Sequence, residues 1–461
     1  MSTAQRFFAP RAWVDAAWAR DVLLTVDEGG SWASVVPDAP ATDRAGAVVL
    51  DGPVLPGVVD AHSHAFQRAI AGQAEQAGPA GDDFWSWRDR MYSAALRVTP
   101  RQLERIAAFL YAELLAGGYT QVCEFHYLHN APAGGPAADP LEMSMALVRA
   151  AQRTGIGLTL LPTLYMRSGF GATGLREDQR RFASTPEGIA RLVQEVQREV
   201  RGDANVNVGV AIHSLRAAGL DPIREAAAFA AAGGLPVHIH VAEQTQEVQD
   251  CLAQTGQRPI EWLLDHVAVD ARWNLVHATH TVPAELQGVS ERGASIVICP
   301  STEANLGDGV FDLPGHAAAG GAWSVGSDSH VTRGWPEELR LLEYSQRFTL
   351  RRRNVAAQAA RRASSAAALF GAAIAGGSAA SGCRLGGLAV GQRADFLVLD
   401  AQSPALLGVP PDNLLDAAVF SSPGASFAQV RVAGRLVPGR SAQIDADYLA
   451  AMTELWSVPA R

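Results

Sequence analysis

The stretch VLPGVVDAHSH, residues 54–64, is the part of the sequence that says most about the fold. A Pro-Gly entry leads into a short apolar run, which is typical of a buried strand in a parallel sheet. The run ends in histidines and not in the glycine-rich phosphate turn that follows the first strand of a doubly wound open sheet. The stretch therefore favours a barrel over an open sheet.

Seven further β-rich runs follow and alternate with helical segments rich in Ala, Leu and Arg. The eight candidate strands span residues 54–62, 119–125, 156–163, 206–213, 235–243, 273–279, 294–300 and 323–329. Eight strands interleaved with helices over roughly 320 residues are typical of an α/β fold, the (β/α)₈ TIM barrel.

Both ends of the chain show a different pattern, with short apolar runs separated by Gly, Pro and Asp turns, as in GGLAVGQRADFLVLD at residues 386–400. This pattern is typical of antiparallel strands. We predict that residues 1–53 and 381–461 form the two halves of one β-sandwich domain and that residues 54–380 form the barrel.

Composition and charge limit the classes of partner. Of the 461 residues, 48% are hydrophobic and 18% are charged, which is typical of a soluble globular protein. The net charge of −9 offers no basic face to nucleic acid or to an anionic membrane, so we expect neither partner. A small anionic substrate would need a local group of arginines.

The cysteines and the N-terminus indicate the compartment. The four cysteines, Cys123, Cys251, Cys299 and Cys383, show no paired spacing, which favours free thiols in a reducing environment. The first residues lack the apolar core of a signal peptide, and no apolar run approaches the roughly 20 residues that span a bilayer. We expect a cytoplasmic protein.

Most of the twelve histidines fall at or just beyond the carboxyl ends of predicted strands, where barrel enzymes place their active sites. His62 and His64 are two residues apart, so both imidazoles point to the same side and can share one ion. Of His238 and His240, His240 is nearer the strand end and is the predicted ligand, whereas His238 is expected one layer deeper. Asp328, at the end of strand eight, adds a carboxylate oxygen.

Each of these residues also has a structural interpretation, as ordinary polar packing or as a capping Asp in a turn. Together they favour a metal site, because three nitrogen ligands, one carboxylate and an open position suit Zn²⁺ or a similar ion such as Fe²⁺. Strand four offers no Lys to bridge a second ion, so one ion is expected. The remaining histidines expected to be structural or exposed are His129, His266, His280, His316 and His330.

These residues resemble the amidohydrolase superfamily, specifically its mononuclear deaminase branch. The matching features are the His-x-His on strand one, His240 with Glu243 on strand five, His277 on strand six and Asp328 on strand eight. Finer strings resemble the formimidoylglutamate deiminases, which hydrolyse N-formimidoyl-L-glutamate to N-formyl-L-glutamate and ammonia in histidine degradation. These strings are SHAFQRA (63–69), FWSWRDRMY (84–92), EFHYLH (124–129), HSLRA (213–217) and CPSTEANLGDG (299–309).

The resemblance implies a homodimer and a role for each matching residue. It implies a metal site of His62, His64, His240 and Asp328, catalytic roles for Glu243, His277 and Asp328, and substrate binding by Gln67, Arg88, Tyr127, His213 and Arg216. The two arginines also agree with simple chemistry, because a glutamate moiety carries two carboxylates and guanidinium groups pair with carboxylates bidentately. Without the resemblance, each arginine would more often be a surface or interhelix ion pair.

Two other functions stay open at this point. The first is another deaminase on the same metal, acting on a guanine-like or adenosine-like base, although such a pocket would favour aromatic stacking and amide hydrogen bonds over paired arginines. The second is a metal-free barrel that serves as an interaction protein. Such proteins lose metal ligands, and here no ligand is missing.

Overall fold

Two β-sheets organise the chain, one built from its ends and one from its middle. The structure is a computed structural model and describes residues 4–76, 83–135, 137–421 and 424–457. The N-terminal segment supplies the strands β1 (Gln5–Val14), β2 (Ala17–Val26), β3 (Trp32–Val36), β4 (Val48–Val49) and β5 (Val54–Pro56).

The middle of the chain forms the barrel. Its strands are β6 (Val58–Ser63), β7 (Tyr119–His126), β8 (Gly157–Leu164), β9 (Val206–Val208), β10 (Val210–Ser214), β11 (Val237–Val241), β12 (Trp273–His277), β13 (Ser295–Ile298) and β14 (Ala322–Val325). All neighbouring pairs are parallel in the order β6-β7-β8-β10-β11-β12-β13-β14, and β9 pairs with β8. The predicted eight-stranded α/β barrel is confirmed.

The barrel closes between its first strand and the residues just after its last strand. Ser63 and Asp328 form a parallel bridge, and the Asp328 N–H donates to the His62 carbonyl oxygen at 2.9 Å. Asp60 on β6 accepts from the backbone N–H and the hydroxyl of Ser327 at 2.8 and 2.6 Å. This closure brings His62 and Asp328 to the same edge of the barrel.

Helices lie in the segments that join the barrel strands and in the segment that follows the last of them. They are α1 (Phe84–Ala95), α2 (Pro100–Ala116), α3 (Glu142–Thr154), α4 (Pro186–Glu199), α5 (Leu220–Gly233), α6 (Thr245–Thr255), α7 (Pro259–His266), α8 (Pro283–Glu291), α9 (Pro300–Leu306), α10 (Leu313–Ala318), α11 (Trp335–Leu350), α12 (Val355–Ala359), α13 (Ser365–Ser381), α14 (Leu414–Phe420) and α15 (Ala442–Trp456). No helix in these described ranges is both long and apolar enough to cross a membrane.

Local sequence explains several helix boundaries. The side chain of Thr99 accepts from the Gln102 N–H, and Pro100 occupies the first helical position, so α2 begins with a capping box. Helix α13 packs closely on the barrel because it is rich in Ala and Gly. A Cβ on Gly376 would lie 2.0 Å from the Trp323 carbonyl oxygen, so only glycine allows this approach.

The C-terminal segment adds β15 (Phe396–Leu399), β16 (Phe427–Val432) and β17 (Arg435–Leu436) to the outer sheet. That sheet has the order β17-β16-β15-β5-β1-β2-β3, with β4 beside β1, so the predicted second sheet from both chain ends is confirmed. Its own apolar core includes Phe7, Trp32 and Phe396.

The structure differs from the sequence prediction in three places. The predicted strand 54–62 is two strands, because Pro56-Gly57 ends β5 in the outer sheet before β6 begins the barrel. The predicted strand 206–213 is likewise divided, into β9 and β10. In the C-terminal segment, α14 and α15 lie where only strands and turns were expected; α15 packs on α2 through stacked Phe109 and Tyr448 rings, whose centroids are 4.0 Å apart.

Candidate active site

A cavity lies where the carboxyl ends of the barrel strands meet. The predicted site residues that line it are His64, Gln67, Arg88, Tyr127, His213, Arg216, His240, Glu243, His277 and Asp328. His62 is fully buried and contacts His64 and His240. The fold thus brings all the predicted site residues to one place, although they come from six barrel strands and their following segments, and from helix α1.

Three imidazole nitrogens converge behind the cavity. The Nε2 atom of His62 lies 3.0 Å from Nε2 of His64 and 2.9 Å from Nε2 of His240. The Asp328 Oδ1 atom lies 3.4 Å from Nε2 of both His62 and His64. The three imidazole nitrogens thus converge on one point, and the Asp328 carboxylate oxygen lies beside two of them.

Backbone carbonyl groups fix the tautomer of two of the rings. Nδ1 of His64 donates to the Phe125 carbonyl oxygen, and Nδ1 of His240 donates to the His213 carbonyl oxygen, both at 2.9 Å. Because a carbonyl oxygen only accepts, the proton sits on Nδ1 and Nε2 carries a lone pair in the neutral rings. Burial, with the neighbouring imidazoles adding to it at His62 and His240, lowers the pKa of all three rings.

This donor set fits a first-row divalent cation. Facing lone pairs of neutral imidazoles repel one another unless a cation lies between them, and at most one of the close nitrogen pairs can be a hydrogen bond. Three imidazole nitrogens and one carboxylate are the ligands that such ions take, and one coordination position stays open for a water or substrate. The oriented Nδ1–H groups are the usual support for such ligands.

Strained backbone at the strand ends positions the carboxylates and His277. Asp328, His277 and Ala242, which precedes Glu243, have φ angles of 46°, 69° and 54°. Non-glycine residues seldom adopt positive φ, and such strain is concentrated at functional sites. Here the positive φ angles turn the backbone out of each strand and place the following side chains around the cavity.

His277 lies between two glutamates. Its Nδ1 is 3.4 Å from Glu303 Oε1, and its Nε2 is 3.6 Å from Glu243 Oε1 and 3.9 Å from Asp328 Oδ2. Burial alone would lower the pKa of His277, but Glu243, Glu303 and Asp328 outweigh it and raise the pKa to about 10. Burial also raises the pKa of Glu243. The Glu243–His277 pair is therefore able to hold a proton beside the cavity at neutral pH.

Two guanidinium groups that line the cavity share one aromatic ring. The Cζ atoms of Arg88 and Arg216 lie 4.5 and 5.9 Å from the centre of the Trp85 ring. Arg216 is 12% exposed and lies 3.7 Å from Glu243 and 4.0 Å from Glu247. Burial opposes the charge of Arg216, but the two glutamates raise its pKa, so it stays cationic. The Nε atoms of both arginines lack a hydrogen-bond partner within the described residues.

The other predicted substrate-binding residues form a polar wall. Gln67 donates through Nε2 to the Tyr127 hydroxyl at 3.2 Å, while its Oε1 is buried without a partner among the residues described. The His213 ring packs on the Tyr165 ring, with centroids 4.3 Å apart. Tyr165 was not identified from the sequence.

The histidines expected to be structural make hydrogen bonds apart from the convergence point. His238 bonds the Ala380 carbonyl group at 2.8 Å, one layer below His240. His330 follows Asp328 closely and bonds the Ser327 hydroxyl at 3.1 Å. The others bond backbone carbonyl groups, as His129 to Thr163, His266 to Trp262, His280 to Asp308 and His316 to Ala322.

Sequence reasoning missed several residues at the cavity. Tyr92, Tyr165 and Arg167 also line it, and Glu247 accepts the backbone N–H groups of Ala242 and Glu243 at 3.2 Å. Arg167 had a detectable signal, because it closely follows the carboxyl end of β8, the edge that carries function in a barrel. Glu247 lies on α6 and its inward position had no local sequence signal.

Comparisons with known proteins agree with this geometry. The formimidoylglutamate deiminase of Pseudomonas aeruginosa is 47% identical over 436 residues, which cover 93% of this chain and 94% of that protein. A crystal structure of an amidohydrolase from Brucella melitensis is 42% identical, with a TM-score of 0.92 over 98% of this chain and 99% of that one. A zinc-bound adenosine deaminase from Xanthomonas campestris is 22% identical, with a TM-score of 0.80 over 98% and 99%, and shows a shared fold alone.

The model of the amidohydrolase family matches residues 54–437, which include the barrel and all three outer-sheet strands of the C-terminal segment, β15, β16 and β17. Together with the 47% identical relative, this match decides the family. The chain belongs to the amidohydrolase family, a family of metal-dependent hydrolases.

Proposed function

We propose that this chain hydrolyses N-formimidoyl-L-glutamate to N-formyl-L-glutamate and ammonia. The observation that carries the proposal is the pair Arg88 and Arg216, which lines one cavity with the histidine cluster and offers two guanidinium groups to a substrate with two carboxylates. The 47% identical deiminase supports the same substrate. The reaction places the chain in histidine degradation.

His62, His64, His240 and Asp328 hold one divalent ion in this proposal, most simply Zn²⁺, with Fe²⁺ as the alternative. Three neutral imidazoles and a carboxylate suit either ion. When bound, the ion supplies Lewis-acid activation of the water that attacks the formimidoyl carbon.

Asp328, Glu243 and His277 handle the protons. Asp328 takes a proton from the attacking water, and the Glu243–His277 pair delivers one to the imine nitrogen of the substrate. The adduct nitrogen then receives the proton held by Asp328, so that the C–N bond breaks and neutral ammonia leaves. The adduct hydroxyl returns its proton to the Glu243–His277 pair and becomes the formyl oxygen on the glutamate nitrogen. Glu243 Oε1 and His277 Nε2 lie 3.6 Å apart, so a small shift of either side chain forms the hydrogen bond through which the pair passes this proton.

Arg88, Arg216, Gln67, Tyr127 and His213 hold the substrate. The two arginines bind its carboxylates, and the unpartnered Gln67 Oε1 accepts from a substrate N–H. Binding of the glutamate end holds the amidine at the reacting edge of the cavity.

The cellular setting is part of the same proposal. We place the chain in the cytoplasm, where a catabolic intermediate would be found, and expect a homodimer. The same proposal divides the chain into a barrel domain of residues 54–380 and a flanking domain of residues 1–53 and 381–461, except that β5 (Val54–Pro56) pairs in the outer sheet.

Ammonia release from the zinc-loaded chain tests the proposal. We expect equal amounts of ammonia and N-formyl-L-glutamate from N-formimidoyl-L-glutamate, and much slower release from formamidine, which lacks both carboxylates. Adenosine and guanine are the control substrates for the alternative deaminases. Ammonia from a purine with none from N-formimidoyl-L-glutamate would overturn the proposal.

A further inference from the structure

Arg167 binds the chain segment that carries Arg216. Its Nε atom donates to the Arg216 carbonyl oxygen at 3.1 Å, and its Nη2 atom donates to the carbonyl oxygens of Leu215 and Ala218 at 2.9 and 3.0 Å. The backbone N–H groups of Met166 and Arg167 both donate to the Ala217 carbonyl oxygen, at 2.8 and 3.0 Å. Met166 and Arg167, which follow β8, therefore bind the four consecutive carbonyl groups of residues 215–218, which follow β10.

This set of hydrogen bonds restricts the backbone from which Arg216 extends. The segment 214–218 has only one further backbone hydrogen bond of its own, from the Ala217 N–H to the Ser214 carbonyl oxygen at 3.0 Å. Loops held by so few internal contacts are mobile unless another element binds them. The backbone that carries Arg216 is therefore held mainly from outside its own segment, by Met166 and Arg167.

The side chain of Arg167 donates its hydrogen bonds to backbone carbonyl groups. Among the described residues it has no carboxylate partner. A guanidinium that forms no ion pair, yet donates three charge-assisted hydrogen bonds to one loop, is placed for holding that loop.

We propose that Arg167 is a positioning residue for substrate binding, which holds the 215–218 loop so that Arg216 presents its guanidinium group to a carboxylate in the cavity. The inference rests on the proposed function for the identity of that carboxylate. Its structural part, the dependence of the loop on Arg167, can be tested without any substrate.

Kinetics of single and double variants test the functional part. We expect Arg167→Met to raise KM about tenfold while kcat changes by less than about threefold, because lost substrate positioning weakens capture more than chemistry. In an Arg216→Met background the same change should alter KM by less than about twofold, because residues that act through one another are not additive. A full tenfold increase in that background would overturn the inference and indicate direct contact of Arg167 with substrate.

Arg167→Lys separates geometry from charge. Lysine keeps the positive charge but lacks the planar fork that reaches three carbonyl groups, so KM should stay raised. Complete recovery by lysine would overturn the positioning role. Arg224→Met is the matched control, because Arg224 donates to the His266 carbonyl oxygen at 2.9 Å outside the cavity. It should leave KM and kcat unchanged.

Hydrogen–deuterium exchange distinguishes failure of this inference from failure of the proposed function. Without substrate, residues 213–219 should exchange faster in Arg167→Met than in the native chain and in Arg224→Met, with melting temperatures recorded for each. Unchanged exchange would overturn the inference even if the native chain released ammonia as proposed. Faster exchange in Arg167→Met would uphold the dependence of the loop on Arg167. If the native chain then released no ammonia from N-formimidoyl-L-glutamate, only the proposed substrate would be rejected.

Discussion

The Nε2 atoms of His62 on β6 and His240 on β11 lie 2.9 Å apart, although 178 positions separate the two residues along the chain. Barrel closure alone produces this contact, since the strands are separated by three others around the sheet. Both nitrogens point into one space that a cation fits. The histidines of β11 therefore allow a direct test of the metal site.

We expect His240→Ala to lose most of its bound metal, whereas His238→Ala keeps it. Native protein should hold about one ion per chain, as a four-ligand site requires. His238 is the matched control, because it lies on the same strand but bonds the Ala380 carbonyl group. Its loss should lower the free energy of unfolding by about 1–3 kcal/mol by leaving a buried carbonyl group unpaired. Metal analysis and thermal unfolding measure the two effects, and equal metal content in both variants would contradict the assignment.

Glu243→Gln should keep the metal and lose turnover. Glutamine fills the same volume but cannot exchange the proton that the imine nitrogen needs, and loss of a general acid–base group costs about 10²–10⁴-fold in rate. The measurements are metal content and the initial rate of ammonia release. Glu225→Gln on the exposed face of α5 is the control and should behave as the native chain. Native-like turnover of Glu243→Gln would remove this residue from the mechanism.

Arg88→Met should raise KM for N-formimidoyl-L-glutamate by about tenfold or more, since an ion pair with a carboxylate in a poorly solvated cavity contributes at least ~1.4 kcal/mol. Arg90 is the matched control on the same helix, because it donates to the Gln76 carbonyl oxygen at 2.6 Å and does not line the cavity. Steady-state kinetics of both variants provide the comparison. A KM that is equal in the two variants would rule out a carboxylate-binding role for Arg88.

We expect the titration of Glu338 to lower the free energy of unfolding as pH rises from about 4.5 to about 7. Burial raises the pKa of Glu338 to about 7, despite hydrogen bonds from Ser301 and Thr332 that act in the opposite direction. In that pH range the folded chain holds a proton that the unfolded chain has lost, so the free energy of unfolding falls with increasing pH. The full effect is on the order of 3 kcal/mol, because one pKa unit corresponds to about 1.36 kcal/mol.

The variant Glu338→Gln removes this titration. The melting temperature of Glu338→Gln, measured relative to that of the native chain, should therefore increase from pH 5 to pH 8. Glu337→Gln is the control, because the Glu337 side chain is 50% exposed. A difference that stays constant with pH would show that Glu338 does not titrate in this range.

Local patterns predicted the strands well because each barrel strand is an apolar run that ends at polar residues. The runs at 119–125 and 156–163 became β7 (Tyr119–His126) and β8 (Gly157–Leu164), within a residue at each end. The run at 54–62 was harder, because both parts of it are apolar and buried. Only the pairing of β5 with β1 and β15 in the outer sheet distinguishes the first part of this run from β6.

Helix α15 shows a further limit. Its residues are partly exposed and of mixed polarity, and the helix is held by Phe109 and Ala112 of α2, which lie more than 300 positions away. Contacts at that distance leave no periodic pattern in the segment itself.

The sequence by itself determined which side chains stand at the strand ends, because a strand period of two places His62 and His64 on one side and apolar runs mark where each strand stops. Only the tertiary structure decided that His62, His240 and Asp328 share one point, that Arg88 and Arg216 share the Trp85 ring, and that Arg167 binds the loop of Arg216. The physical reason is that these distances depend on the closure and register of the barrel, which many long-range contacts set together and no local pattern encodes.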